Sequence, residues 1–387
     1  MQAPSPLLPR YGEGSLADLT PSLLASMGVA EFGNVLGLPE CERACLVVLD
    51  GLGWELLRHN AEHAPFLRSL LPSARPITAG FPSTTAASVA SIGCGLPPAE
   101  HGVLGYALTL PGHSRPMNML RWQVYGTGQG GDLREKLHPE KFQPRQTAFE
   151  TAAAAGVEVQ LIGPAAHDQS GLSRAALRGG RFQAAVSGGD LASCALAHLQ
   201  GSGRKVVYAH HNDLDTTGHS RGAASEAWRI QLGLADRLCE RMAERLPAGC
   251  TLIITGDHGM VDLAPHQRLD LDDHRELSAG VRVMAGEGRA RYLYTQHGAE
   301  QDVLGAWREA LGDRMWVLSR EEAIEAGWFG PDVPEAYAAR IGEVIAAAFG
   351  PVGIFQRSVD PSQASMVGHH GSLTPEEMLV PLLVVNR

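Results

Sequence analysis

Five short polar clusters hold the residue types that could do chemistry in this chain. Asp50 follows the apolar run ACLVVL at 44–49, and Ser83, Thr84 and Thr85 open a stretch of small residues. Asp215 and His219 stand four apart in DTTGH, Asp257 and His258 follow the run TLIIT at 251–255, and His369 and His370 lie between two glycines. Three carboxylates, three histidines and one hydroxyl are the inventory of a site for two metal ions. An aspartate beside an imidazole at the end of a buried strand is costly to desolvate unless something pairs them, and a bound cation pairs both. The mixed oxygen and nitrogen donors suit zinc, with manganese or iron as alternatives, whereas calcium and magnesium want more oxygen. A hydroxyl at Ser83 or Thr84 can cap the helix that follows, which sets Thr85 at its first turn, where an anion is favoured. On spacing alone the choices between Thr84 and Thr85, and between His369 and His370, stay open. So does ligation by His210 or His211, which end the run KVVYAH and begin the next polar cluster.

These clusters need elements to position them. The apolar runs at 44–49, 157–162, 205–210 and 251–255 read as strands, and 378–385 as a last strand in which Pro381 suggests an edge or a start. Helical spacing covers 55–71, 149–155, 188–199 and 223–246. Strands alternating with helices predict an α/β layered fold, with a mostly parallel central sheet and helices on both faces. Ligands of such sheets gather at the carboxyl ends of strands, which is where four of the five clusters fall. The Gly-rich stretch 101–144 reads as an excursion over the sheet edge or the mouth of the site. Beyond 262 the texture changes: short strands at 281–284 and 291–295 flank a turn at Gly286, Glu287 and Gly288, and 301–311, 321–326 and 334–349 read as helical. The expected organisation is a lead-in at 1–43, a catalytic core in two parts at 44–262 and 361–387, and an inserted cap at 263–360.

Taken in order, VVLDGLG at 47–53, FPSTTAAS at 81–88, GLPPAEHG at 95–102, DTTGH at 215–219, GDHGM at 256–260 and GHHG at 368–371 form a specific set. The set resembles the alkaline phosphatase superfamily, and within it the nucleotide pyrophosphatase/phosphodiesterase family, also called type I phosphodiesterases. The resemblance runs from Ala44 to Val385. It implies an alkaline-phosphatase-like fold and a two-zinc hydrolase of phosphodiester or pyrophosphate bonds. One metal would be held by Asp215, His219 and His370, and the other by Asp50, Asp257 and His258, with Thr85 as the nucleophile on the second. Counting back from His101-Gly102 favours Thr85 over Thr84, and the glycine that follows favours His370 over His369. Where nucleotide-cleaving members carry an asparagine that binds a phosphoryl oxygen, this chain has Tyr106, whose hydroxyl could donate to the same oxygen. Thr85-Ala86-Ala87 replaces the family's Thr-Phe-Pro and opens space where an aromatic ring usually stacks. A phosphomonoesterase or phosphonate hydrolase on the same site is the alternative. A noncatalytic metal-binding protein is the third reading, and an intact nucleophile with six ligands argues against it.

Composition narrows the partners. Acidic residues outnumber basic ones, 42 to 32, for a formal net charge of −10, and no basic stripe with interleaved aromatics is present. Polymeric nucleic acid is therefore excluded on electrostatic grounds, and a small phosphate ester or nucleotide-like molecule is the expected substrate. Six cysteines without a close repeated pair do not outline a disulfide framework. With no signal peptide pattern and no run long enough to span a bilayer, a cytoplasmic location is expected and no membrane partner. The oligomeric state is not written in the sequence.

Overall fold

In the computed structural model of the chain, residues 3–110, 112–125 and 131–387 are described. Seven strands form the main sheet: β1 (Arg43–Leu49), β2 (Arg75–Thr78), β3 (Glu158–Gly163), β4 (Arg181–Ala184), β5 (Lys205–His211), β6 (Cys250–Thr255) and β11 (Leu379–Asn386). Their order is β2-β11-β6-β1-β5-β3-β4, and only β11 runs antiparallel to its neighbours. The two central strands, β1 and β6, are continuous apolar runs because both of their faces are covered. Along β1, Ala44, Leu46 and Val48 enter one hydrophobic core, while Cys45, Val47 and Leu49 enter the other. Helix α1 (Thr85–Cys94) packs in the first core; α2 (Gly188–His198) and α4 (Glu226–Glu244) pack in the second. In α4 the buried residues Trp228, Leu232, Ala235, Cys239 and Met242 keep helical spacing, and the Ser225 hydroxyl caps its first turn. Between α2 and α4, helix α3 (Asp213–Arg221) starts directly after β5.

Between β6 and β11 the chain builds a second, antiparallel sheet from β7 (Val281–Glu287), β8 (Ala290–Thr295), β9 (Met315–Ser319) and β10 (Val344–Ala348), in the order β7-β8-β10-β9. Helix α5 (Glu300–Leu311) covers one face, with Val303, Leu304, Trp307 and Leu311 in a third hydrophobic core.

Three local expectations are corrected. Residues 334–349 are not one helix: a short helix at Glu335–Ala338 is followed by β10. The alanines of 346–348 favour helix by propensity, but β10 is buried throughout and hydrogen-bonded on both sides, and that tertiary context decides. The expected helix 55–71 breaks into Trp54–His59 and Pro65–Leu70, since Pro65 can start a helix but not continue one. Finally, β11 is an interior strand, so of the two readings of Pro381, an edge or a start, only the start holds. Pro381 is tolerated there because its pairing with β2 ends at Leu382 and the ladder to β6 begins only at Leu383.

The two sheets share a hydrophobic core, and a buried ion pair ties the second sheet to the segment before β11. Arg289, in the β7–β8 turn, places Nη2 at 2.8 Å and Nε at 3.2 Å from the Glu377 carboxylate. Its Nη1 donates to the carbonyls of Gly350 and Val352, and Glu377 also accepts from Ser372 N and Thr374 Oγ1. Both side chains are almost wholly buried, at 3% and 0% exposure. Because nearly every donor and acceptor is used, removing one partner leaves an uncompensated charge in the interior. Glu377→Ala is expected to cost about 3–5 kcal/mol in urea unfolding. The combined replacement Arg289→Met with Glu377→Leu should recover much of that loss, and a single-variant cost under about 1 kcal/mol would contradict this account.

Candidate metal centre

The sheet delivers its chemistry at the carboxyl ends of adjacent strands. Asp50 follows β1, Asp257 and His258 follow β6, and β5 runs into α3, which carries Asp215 and His219 one turn apart. Thr85 is the first residue of α1. His370 follows the two-residue strand Gly368–His369, which pairs with Val261–Asp262 just beyond His258. Two glycines allow this convergence. Gly51 has φ +78°, and a Cβ there would come to 3.1 Å of the Asp215 backbone; at Gly259 a Cβ would overlap the Glu376 carbonyl.

Five of the six expected ligands fall into two groups. Ligand atoms of Asp215, His219 and His370 lie within 4.8 Å of one another, as do those of Asp50, Asp215 and His258, so Asp215 belongs to both groups. The Nε2 atoms of His219 and His370 face each other at 3.3 Å. The rings of His258 and His370 stack at 3.6 Å between centroids. Asp257 lies outside both groups, although its Oδ2 is 3.5 Å from His258 Nε2. Its Oδ1 accepts from Gly51 N and His258 N, which anchors the loop. Thr85 Oγ1 sits 3.1 Å from His258 Nε2 and 3.5 Å from Asp50 Oδ1.

The donors are set for a cation. Each of the three histidines has its Nδ1 against a backbone carbonyl: His219 against Gly368 O at 2.8 Å, His258 against Gly259 O at 2.9 Å, and His370 against Ser83 O at 2.9 Å. A carbonyl only accepts, so the ring proton is on Nδ1 and the bare Nε2 lone pairs point into the site. Asp215 Oδ1 and Asp257 Oδ2 are buried with no hydrogen-bond partner. Burial, then the charges of Asp257 and Asp215, push the Asp50 carboxyl well above its usual range. Burial, then the rings of His258 and His219, hold His370 well below its own. Lone pairs and carboxylates crowded in this way fit metal ions of the type that take imidazole and carboxylate.

Other candidates fall into place around them. Thr84 holds the N-cap position of α1 but makes no capping bond, while Ser83 Oγ donates to Ser372 O instead. His369 places Nε2 against the Met366 carbonyl and packs on Phe355. His211 contacts Asp213 and turns toward the groove between α2 and α4. A cavity of about 470 Å³ opens beside Thr85, with Tyr106 and Asn118 on its wall. The Tyr106 hydroxyl pairs with Tyr125, which also accepts from Asn118 Nδ2. Sequence reasoning missed two neighbours. Glu287, the last residue of β7 rather than part of a turn, lies 3.4 Å from His370 Nδ1, and nothing in the sequence ties that hairpin to this histidine. His210, considered only as a ligand, instead meets Asp50 at 3.0 Å, and the alternation Tyr208, His210 along β5 was the signal that could have shown it.

A mostly parallel seven-stranded sheet flanked by helices, with oxygen and nitrogen donors at its strand ends, is an alkaline-phosphatase-like fold. Over residues 44–373 the chain matches the family described as type I phosphodiesterase / nucleotide pyrophosphatase, and it belongs to that family of phosphoric ester hydrolases. No curated protein matches it. Among solved structures, murine ectonucleotide pyrophosphatase/phosphodiesterase 5 superposes with a TM-score of 0.69 at 17% identity, covering 89% of this chain and 88% of that one. The same enzyme in an inactive form in complex with AMP gives 0.68, also at 17% identity, with 88% and 87% covered. Phosphonoacetate hydrolase from Sinorhizobium meliloti, in complex with phosphonoformate, gives 0.66 at 18% identity, with 90% and 91% covered. At such identities these likenesses show the fold.

Because Asp215 faces both groups, its loss should be felt twice. With zinc as the probe ion and metal content measured after reconstitution, Asp215→Asn is expected to impair both bound ions, whereas His219→Ala impairs one. Equal metal content in the two variants would contradict the shared position.

Proposed function

We propose that the protein is a metal-dependent hydrolase that cleaves phosphodiester or pyrophosphate bonds of small substrates through a phosphothreonine intermediate on Thr85, with two zinc ions as cofactors. The observation that carries this reading is the position of Thr85 Oγ1: it heads a helix, touches His258 and Asp50, and borders a cavity that His219 and His370 also line. A threonine hydroxyl is a poor nucleophile at neutral pH and needs activation. The bound ions would lower the pKa of that hydroxyl and of a water, and neutralise charge developing on the phosphoryl oxygens. Asp50 and His258, with Asp257 beside them, would hold one ion and Asp215, His219 and His370 the other, with Asp215 facing both. Thr85 Oγ1 attacks phosphorus, the bond to the leaving oxygen breaks, and water then hydrolyses the phosphothreonine ester. The start of α1 favours the negative charge gathered there. Tyr106 lines the substrate's side of the cavity. The fold shared with an enzyme whose complex holds AMP supports a nucleotide-like substrate, and the one shared with phosphonoacetate hydrolase makes a phosphonate the second reading. A cytoplasmic location belongs to the same proposal; all six cysteines are free thiols.

The test is hydrolysis of bis-p-nitrophenyl phosphate, p-nitrophenyl phosphate and phosphonoacetate by zinc-loaded protein. Diester turnover should dominate and fall by at least about a thousandfold in Thr85→Ala, while Thr84→Ala stays within about tenfold of wild type. Monoester or phosphonate preference with the same Thr85 dependence would reassign the substrate. Diester turnover that survives Thr85→Ala would remove the phosphothreonine.

A further inference from the structure

His210 stands apart from both ligand groups, yet it is tied to one of their members. Its Nε2 lies 3.0 Å from Asp50 Oδ2, and its Nδ1 lies 3.0 Å from the Tyr208 hydroxyl. The two residues are separated by one position on β5, so they share a face of the strand. They are 2% and 3% exposed, and both border the cavity beside Thr85. The His167 ring closes over His210 edge-on, with centroids 5.3 Å apart. The main chain of β5 holds Asp50 as well, since Asp50 N donates to the His211 carbonyl.

We propose that Tyr208 and His210 form a relay that fixes which oxygen of Asp50 is offered to a metal ion, making His210 a positioning residue of the site and not a ligand. The order of protons follows from the acceptors. When the Tyr208 hydroxyl donates to Nδ1, the ring proton is on Nε2 and donates to Asp50 Oδ2. With a cation holding Asp50 ionised, the reverse order would set an Nε2 lone pair against a carboxylate oxygen at 3.0 Å. With Oδ2 taken, Oδ1 is the atom left for a cation, and it is the one that lies 3.5 Å from Thr85 Oγ1 and 3.6 Å from His258 Nε2. Asp50 is thereby restricted to one-oxygen ligation on the side of the nucleophile, and it cannot rotate to chelate with both oxygens without breaking the relay. Hydrogen bonds behind a ligand commonly set metal affinity by 10–100-fold.

The inference rests on the two-metal reading of the site, and the experiment separates the two. Zinc affinity and stoichiometry are measured on the full chain by competition with a chromogenic chelator, and thermal unfolding is measured on the chelator-stripped proteins. His210→Leu removes the donor. His210→Gln restores an amide N–H near the position of Nε2, and Tyr208→Phe removes only the proton that orients the ring. His210→Leu should weaken one of two zinc ions by about 10–100-fold with the other unchanged. His210→Gln should stay within about threefold of wild type, Tyr208→Phe should fall between them, and the stripped proteins should melt alike. Wild-type zinc affinity in His210→Leu and Tyr208→Phe would overturn the relay and leave the two-metal reading intact. Equal losses in His210→Leu and His210→Gln, matched by lower melting of the stripped proteins, would reduce His210 to a packing role. A wild-type chain that binds no zinc would remove the two-metal reading and the relay with it.

Discussion

Mutual repulsion among Asp50, Asp215 and Asp257 is the constraint around which the molecule is arranged. Burial resists ionisation of Asp50, and the neighbouring charges of Asp257 and Asp215 oppose it further. Imidazole lone pairs from three histidines add to the crowding. A fold tolerates such a cluster only by holding it from outside, and here the holding is done mainly by the backbone. Carbonyl oxygens orient every ligand histidine, and main-chain N–H groups take one oxygen of Asp257. The side chains are left with unused donor atoms facing inward, the arrangement a cation would stabilise.

That support is spread over the whole chain. Parallel strands aim their carboxyl ends at one point, but the second sheet must also be seated before the loop after His258 is fixed. Arg289 and Glu377 do this from beneath: Gly259 N donates to the Glu377 carbonyl, so the ion pair and the metal centre share one segment of backbone. The same hairpin that carries Arg289 ends β7 with Glu287, which contacts the outer edge of His370. The second sheet therefore reaches the site through two residues separated by a single glycine.

Most of this centre was legible in the sequence because its residues sit where strands stop. An apolar run ending in Asp50 or Asp257 reports both a buried strand and a polar tip, and the mixed spacing of aspartates and histidines reports donors. The central sheet was legible for the same reason. What was hidden depends on long-range packing. Val344–Ala348 has helix-forming alanines, and only its neighbours on both sides make it a strand. Pro381 left an edge and a strand start both open, because sequence does not show where one ladder ends and the next begins. Glu287 lies in a hairpin with no local link to His370, and the partnership of His210 with Asp50 spans 160 residues, so only the pairing of β1 with β5 reveals it.

The place of β11 in the sheet bears on how the molecule is made. It follows every other strand in chain order, yet it lies inside the sheet, between the edge strand β2 and β6. Until it is synthesised β2 has no partner in the sheet, and His370, a few residues before it, is missing from the ligand set. Domains tend to fold from the N-terminus as they emerge, but this one cannot close in that order, because its longest-range pairings are made last. The nascent chain on the ribosome thus carries one ligand group that lacks one of its histidines, and that group is completed only once His370 has been made.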